Sequence, residues 1–217
     1  MTTIALLNPN SLVGKEIQEK LQQTEESWWD ELRLLTTDSE FAGTLTQVRG
    51  SAELVQLLAA DSLEGVDLLL DASPEGTDIK TLGAASNHRT SVRYAPFQDS
   101  EQGIPVVAGA NLEIASRGAV HISPHPGVVA LALILQALEP YGVDSASATI
   151  IQPVSMLGEG AMDELFAQAH SILTFSDDMP KEILGSQLVF NLTSVSADSN
   201  REMDRQLGII LGLESTG

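Results

Sequence analysis

Apolar positions along this chain follow two rhythms, one of buried strands and one of amphipathic helices. "TIALLNPN" is a continuous apolar run that ends in a turn, which predicts a buried strand. "SLVGKEIQEKLQQ" follows with helical spacing, and Ser11 is placed to cap that helix. "LRLLTT" predicts a second strand, and residues 44–60 predict a short strand followed by a helix over "SAELVQLLAA". "GVDLLLDAS" is continuously apolar, as a strand of a parallel sheet is when both of its faces are covered. "DIKTLGAASNH" reads as a helix, "TSVRYA" as extended chain and "GIPVVAGA" as strand-like. Strands alternating with helices predict a doubly wound, Rossmann-like α/β domain over residues 1–120.

The pattern changes after residue 120. "VHIS" leads into an apolar helix over 127–139, then "SASATIIQPVS" predicts a strand and "GAMDELFAQAHSIL" a helix. "QLVFNLTSVS" predicts another strand and "NREMDRQLGIIL" a third helix, which makes 121–217 a partial α+β domain. So few strands leave a sheet with an uncovered edge or face, and symmetric pairing with a second copy is the commonest cover. The expectation is a homodimer joined through this domain. In it the helix 127–139 lies beneath the sheet, and Val154 and Phe190 are core residues intolerant of charge.

Composition narrows the function classes. Hydrophobic residues make up 43% and aromatic ones 4%, so the core is aliphatic. The formal charge is −19, from 30 acidic against 11 basic residues scattered along the chain. Such a field repels nucleic acid and anionic membranes, which leaves neither as a partner, and it gives an anionic cofactor no help. The chain has no cysteine, which excludes disulfides, thiolate metal sites and thiol catalysis. "MTTIALLNPN" lacks the basic flank of a signal peptide, and the longest apolar run, "GVVALALILQAL", is short for a bilayer and broken by Gln136. The expectation is a cytoplasmic protein.

Chemistry is expected at two turns. "NPNSLVG" stands where a dinucleotide fingerprint would present glycines to a pyrophosphate, but only the last of them, Gly14, is present. Asn8, Pro9 and Ser11 add side chains there; Asn10 tolerates a positive φ and Ser11 still caps the helix. In "HISPHPGVVALALILQALEPYG" His125 sits between two prolines, in a strand-to-helix turn of the kind that presents side chains to solvent. The H-x3-H spacing of His121 and His125 would put both on one face of a helix. They fall on a strand and its turn instead, and no third ligand is evident, so no metal site is expected. His125 reads as a capping or surface residue, and His88 and His170 as exposed. Trp28–Trp29 reads as an edge packed under a loop or a partner contact. Asp71 and Glu75 end a strand at the functional edge of an α/β sheet, with no basic partner apparent.

Together these stretches resemble the aspartate-β-semialdehyde dehydrogenase family over nearly all of the chain. "QPVSMLGEGAMDELFAQ" resembles its Q-A-V-S-G-x-G-x-x-x-x-x-E-L segment without gaps. "IPVVAGAN" resembles the segment that closes its cofactor domain, "SPHPGVV…EPYG" its N-P-N-C-[ST]-T loop and helix, "LVFNL" its F-N strand, and "NPNSLVG" its G-A-[TS]-G-x-V-G turn. The resemblance implies NADP-dependent aldehyde oxidation within amino-acid biosynthesis, through a cysteine thiolate that attacks the aldehyde. His125 stands at that cysteine, Gln152 at the active-site glutamine, and Glu202 at a glutamate that contacts substrate. Asp204 stands where a phosphate-binding lysine is expected, and Arg93 is the only arginine near the place of the substrate arginine. The family's catalytic histidine lies in a later segment that this sequence does not contain.

Nucleophile, base, two anion-binding groups and two cofactor glycines are missing together. The resemblance therefore implies a cysteine-less, C-terminally shortened paralogue, a pseudoenzyme with a binding or assembly role. No cofactor is expected; NADP enters only through the resemblance, held weakly by Gly14, Asn10 and Ser11. One alternative is an NADP-dependent semialdehyde oxidoreductase completed by another chain, for which a dehydrogenase-family protein is the candidate. Another is a small-molecule binder that uses Asn111, Gln152 and Glu202 as a substrate cleft.

Overall fold

A computed structural model of the chain describes residues 1–23, 28–59, 61–73, 90–94, 103–194 and 196–213. Their contacts form two compact units, Met1–Ser147 with Arg201–Gly217, and Ala148–Asn200.

The first unit is built on strands β1 (Thr3–Leu7), β2 (Glu31–Thr36), β3 (Leu45–Val48), β4 (Ser51–Leu57), β5 (Leu68–Asp71), β6 (Thr90–Arg93), β7 (Ile104–Pro105) and β8 (Val120–Ile122). They form one sheet in the order β3-β4-β2-β1-β5-β6-β8-β7, parallel at every neighbour except β3 against β4. β1 is buried along its whole length, and its alternation splits the core. Ile4 and Leu6 join Leu34, Val55 and Leu21 on one face, the side of helix α1 (Leu12–Gln23). Ala5 and Leu7 join Leu35, Leu63, Val66 and Leu69 on the other. The chain moves outward from β1 through β2 to β4, then returns to β5 on the opposite side of β1. That reversal places a crevice at the carboxyl ends of β1 and β5, where ligands of doubly wound sheets bind.

Two expectations are corrected in this unit. Residues 51–57 are strand β4 and not a helix. Leu34 pairs with Val55, and Arg49 and Gly50 both take positive φ, the two-residue turn that joins β3 to β4. The helix formers in "SAELVQLLAA" set a weak preference, and the ladder to β2 overrides it. The apolar helix α2 (Pro126–Leu138) is not packed beneath a sheet. Its buried stripe is only Val128 and Ala132, set against Val107 and the Ile210 end of a later helix, while Ile134 is 56% exposed. The helix expected over "DIKTLGAASNH" lies outside the described residues, as do His88 and Glu75.

The second unit holds helix α3 (Glu159–Leu173) after a short 3-10 turn (Val154–Leu157). Helix α4 (Ala197–Ile210) starts in it and belongs to the first unit from Arg201 onward. The two strands expected over 145–155 and 187–196 are absent among the described residues. A strand needs a neighbouring ladder, and in the second stretch the Leu188 and Val189 amides go to a side chain of α3 instead. Gln168, fully buried, donates Nε2 to the Pro180 and Ser186 carbonyls at 2.8 and 2.9 Å. Its Oε1 accepts from the Leu188 and Val189 amides. Glu164 accepts the Ile183 and Leu184 amides at 2.7 and 2.9 Å. Phe190 is therefore not a core residue: it is 84% exposed, with φ at +62°, and its neighbour Val189 is the buried one. Val154 is half-buried.

Candidate functional site

The crevice is lined first by the turn between β1 and α1. Asn8 takes φ +54°, a left-handed conformation that asparagine tolerates better than most residues and that the first fingerprint glycine would adopt freely. Its carboxamide is a buried hub. Nδ2 donates to Ser73 Oγ at 2.8 Å, and Oδ1 accepts from the Thr37 amide at 3.0 Å and from the Thr36 hydroxyl. One side chain thus ties together the carboxyl ends of β1, β2 and β5. Ser11 Oγ accepts the Gly14 amide at 3.0 Å, the expected cap, and donates toward the Asn8 and Ala72 carbonyls. Gly14 is required where it stands: a Cβ there would overlap the Asn8 carbonyl oxygen and come within 2.8 Å of the Pro9 backbone. Asn10 Nδ2 is buried without a hydrogen-bond partner.

The carboxyl ends of β5 and β6 add a buried ion pair. Asp71 and Arg93 are register partners in the parallel ladder, and Arg93 Nε lies 3.1 Å from Asp71 Oδ2. Asp71 Oδ1 also accepts the Ser73 amide. Burial pushes the Arg93 guanidinium below its ordinary value while the Asp71 carboxylate pulls it up. Asp71 therefore has the basic partner that it lacked in the sequence. Arg93 is consumed by that pairing.

His125 follows β8, and of its two expected roles, cap or surface residue, the structure shows the cap: it is 1% exposed. Its Nδ1 accepts the Gly127 amide at 3.0 Å, which makes it the N-cap of α2, with Pro126 in the first turn. An accepting Nδ1 means that the neutral ring carries its proton on Nε2. The lone pair that a nucleophile would use at Nδ1 is already bound. The His125 amide donates to Gln206 Oε1 at 3.2 Å, and Gln206 Nε2 donates to Glu202 Oε1 at 3.3 Å. Glu202 thus reaches His125 through Gln206, a fully buried residue that sequence reasoning missed. Its signal was a polar side chain inside the apolar stripe Met203, Leu207 and Ile210, four residues after Glu202.

The remaining candidates are apart from this group. Asn111 is buried and staples its own loop, accepting the Val107 amide at 2.8 Å and donating to the Pro105 carbonyl at 3.0 Å. Gln152 is half-buried in the second unit, and Asp204 and His170 are exposed. His121 Nε2 accepts the Ser116 amide at 3.2 Å. Trp29 packs on the α1-side core under the Arg49 guanidinium, 5.3 Å from the ring centre, and Trp28 is exposed. Among the described residues no three acidic, histidine or cysteine side chains cluster as metal ligands, and no helix is long and apolar enough to cross a membrane.

No protein-family model matches the sequence, and neither does any curated protein. Solved structures do. A probable aspartate-semialdehyde dehydrogenase from Pseudomonas aeruginosa matches 97% of this chain at 18% identity, with a TM-score of 0.75. Aspartate semialdehyde dehydrogenase II from Vibrio cholerae matches 97% at 19% identity and 0.79, and the Francisella tularensis enzyme matches 100% at 16% and 0.72. The chain spans 66% of the first two of these proteins' length and 70% of the third's. The mixed α/β fold with its mostly parallel eight-stranded sheet is the fold these dehydrogenases share over the matched region.

Proposed function

We propose that this chain is an aspartate-semialdehyde dehydrogenase-like protein that does not carry out the reaction and acts by binding or assembly. One observation carries the reading: His125, at the position the resemblance gives to the nucleophile, is a buried helix cap with its Nδ1 lone pair engaged. Thioester chemistry needs a thiolate that substrate can reach, and the sequence has no cysteine. The fit to a dinucleotide is poor for the same kind of reason. Asn8 and Ser11 spend their side chains on β2, β5 and the helix end, which leaves the orphaned Asn10 Nδ2 as the one buried side-chain donor of that turn without a partner. Purified protein given aspartate semialdehyde, NADP and phosphate is expected to form NADPH no faster than a heat-killed control. Turnover above that control overturns the reading. Calorimetry with NADP is expected to give a Kd no tighter than ~10 μM, about −7 kcal/mol.

Assembly as a homodimer through the second unit is part of the same reading. That unit leaves Phe166, Leu173, Phe175, Ile183, Phe190 and Leu192 exposed, apolar side chains that a second copy would cover. The same surface supports the second reading, an oxidoreductase completed by another chain. Sedimentation at micromolar concentration separates these: a clean monomer removes the homodimer, and activity gained on adding a dehydrogenase-family protein favours the second reading.

A further inference from the structure

The face of β6 and β8 on the α1 side holds a cavity of about 520 Å³, roofed by the loop that follows β7. Thr90 and Val92 of β6 and Tyr94 just past its end line it together with His121 and Ser123 of the neighbouring strand and its end. Val92, Val106 and Ala108 give it aliphatic walls. A volume of this order, mostly apolar with a few converging polar groups, is the usual form of a small-molecule site.

The polar groups are all able to donate. His121 is more than nine-tenths buried, and its Nε2 accepts the Ser116 amide, so the neutral ring directs its N–H from Nδ1. Burial raises the Tyr94 phenol above its ordinary value, which keeps the hydroxyl protonated and a donor at neutral pH. Ser123 adds a hydroxyl, and among the described residues Arg117 brings the one formal charge to the lining. Among the described residues no carboxylate lines the cavity, although the chain as a whole is strongly acidic. Donors and a cation around an aliphatic interior select a ligand with an apolar body and an acceptor head.

We propose that this cavity binds a compact apolar carboxylate, its body against Val92, Val106 and Ala108 and its carboxylate toward His121 and Arg117. The site is separate from the β1–β5 crevice and does not depend on the proposed loss of catalysis.

Benzoate is the probe, titrated into the full chain by calorimetry, with benzamide as its uncharged counterpart. Saturable benzoate binding with a Kd below about 1 mM is expected, within the efficiency range of small ligands. Benzamide is expected to bind about 10-fold more weakly, the scale of one charge-assisted contact. Arg117 and Ala115 are exposed at the mouth, so variants there leave the fold intact. Arg117→Glu is expected to weaken benzoate by about 10-fold or more, and Ala115→Trp to abolish binding by filling the entrance. Absence of saturation, equal affinity for benzamide, or undiminished binding in both variants overturns the proposal.

Discussion

Gly14 and Asn8 show how far a single position can be read. Gly14 was legible because its constraint is local: the helix must start close against the strand it follows. Gly14→Ala is expected to cost about 2 kcal/mol or more by overpacking against backbone, read as a lower urea midpoint with an unchanged slope. Asn8 was not legible as a hub, since its partners Thr36, Thr37 and Ser73 are 28 to 65 residues away. Asp71–Arg93 escaped for the same reason: the two meet only through strand register. Tyr94 gives a pH dependence whose sign follows from its raised pKa. The folded protein holds the phenolic proton more tightly than the unfolded chain, so Tyr94 contributes stability that is fully present below pH ~10 and lost as pH rises through the folded value. Tyr94→Phe is expected to flatten the fall in stability above that pH; an unchanged fall contradicts the assignment.

Elements were read well where periodicity and burial agreed. β1, β2, β5 and α1 follow their apolar pattern because each meets a neighbour that the pattern anticipates. β4 was mistaken for a helix because its residues favour helix locally, and only the pairing with β2 decides otherwise. The β-rich stretches at 145–155 and 187–196 failed in the opposite sense, with strand-like sequence and no ladder to join. In the second of them Gln168 takes the Leu188 and Val189 amides that a ladder would have used. Gln168→Leu leaves two part-buried carbonyls and two amides without their partner, and is expected to cost about 2 kcal/mol and to speed hydrogen exchange at Leu188 and Val189. Phe190→Asp, by contrast, is expected to change stability by no more than about 0.5 kcal/mol in the isolated chain, because the ring is already in solvent. A large loss at Phe190 would mean that a partner covers it.

At the scale of the molecule, the doubly wound sheet and its crevice were foreseeable, because parallel strands announce themselves as continuous apolar runs. What the sequence could not convey is how the crevice is filled. Its polar side chains are spent on the protein itself: Asn8 on Thr37 and Ser73, and Asp71 on Arg93; beyond β8 the His125 ring likewise accepts the Gly127 amide, and its backbone amide donates to Gln206, which donates to Glu202. A site organised around internal satisfaction holds its shape but offers no nucleophile. That is the central claim, and its most direct test uses the absence of cysteine. His125→Cys introduces a single thiol, whose reaction with dithiodipyridine can be followed in the folded protein and again in guanidinium. The buried cap predicts folded-state labelling slower by ~100-fold or more, since reaction waits on rare local opening. Labelling of the folded variant as fast as that of the unfolded chain would show an open position, and would contradict the account.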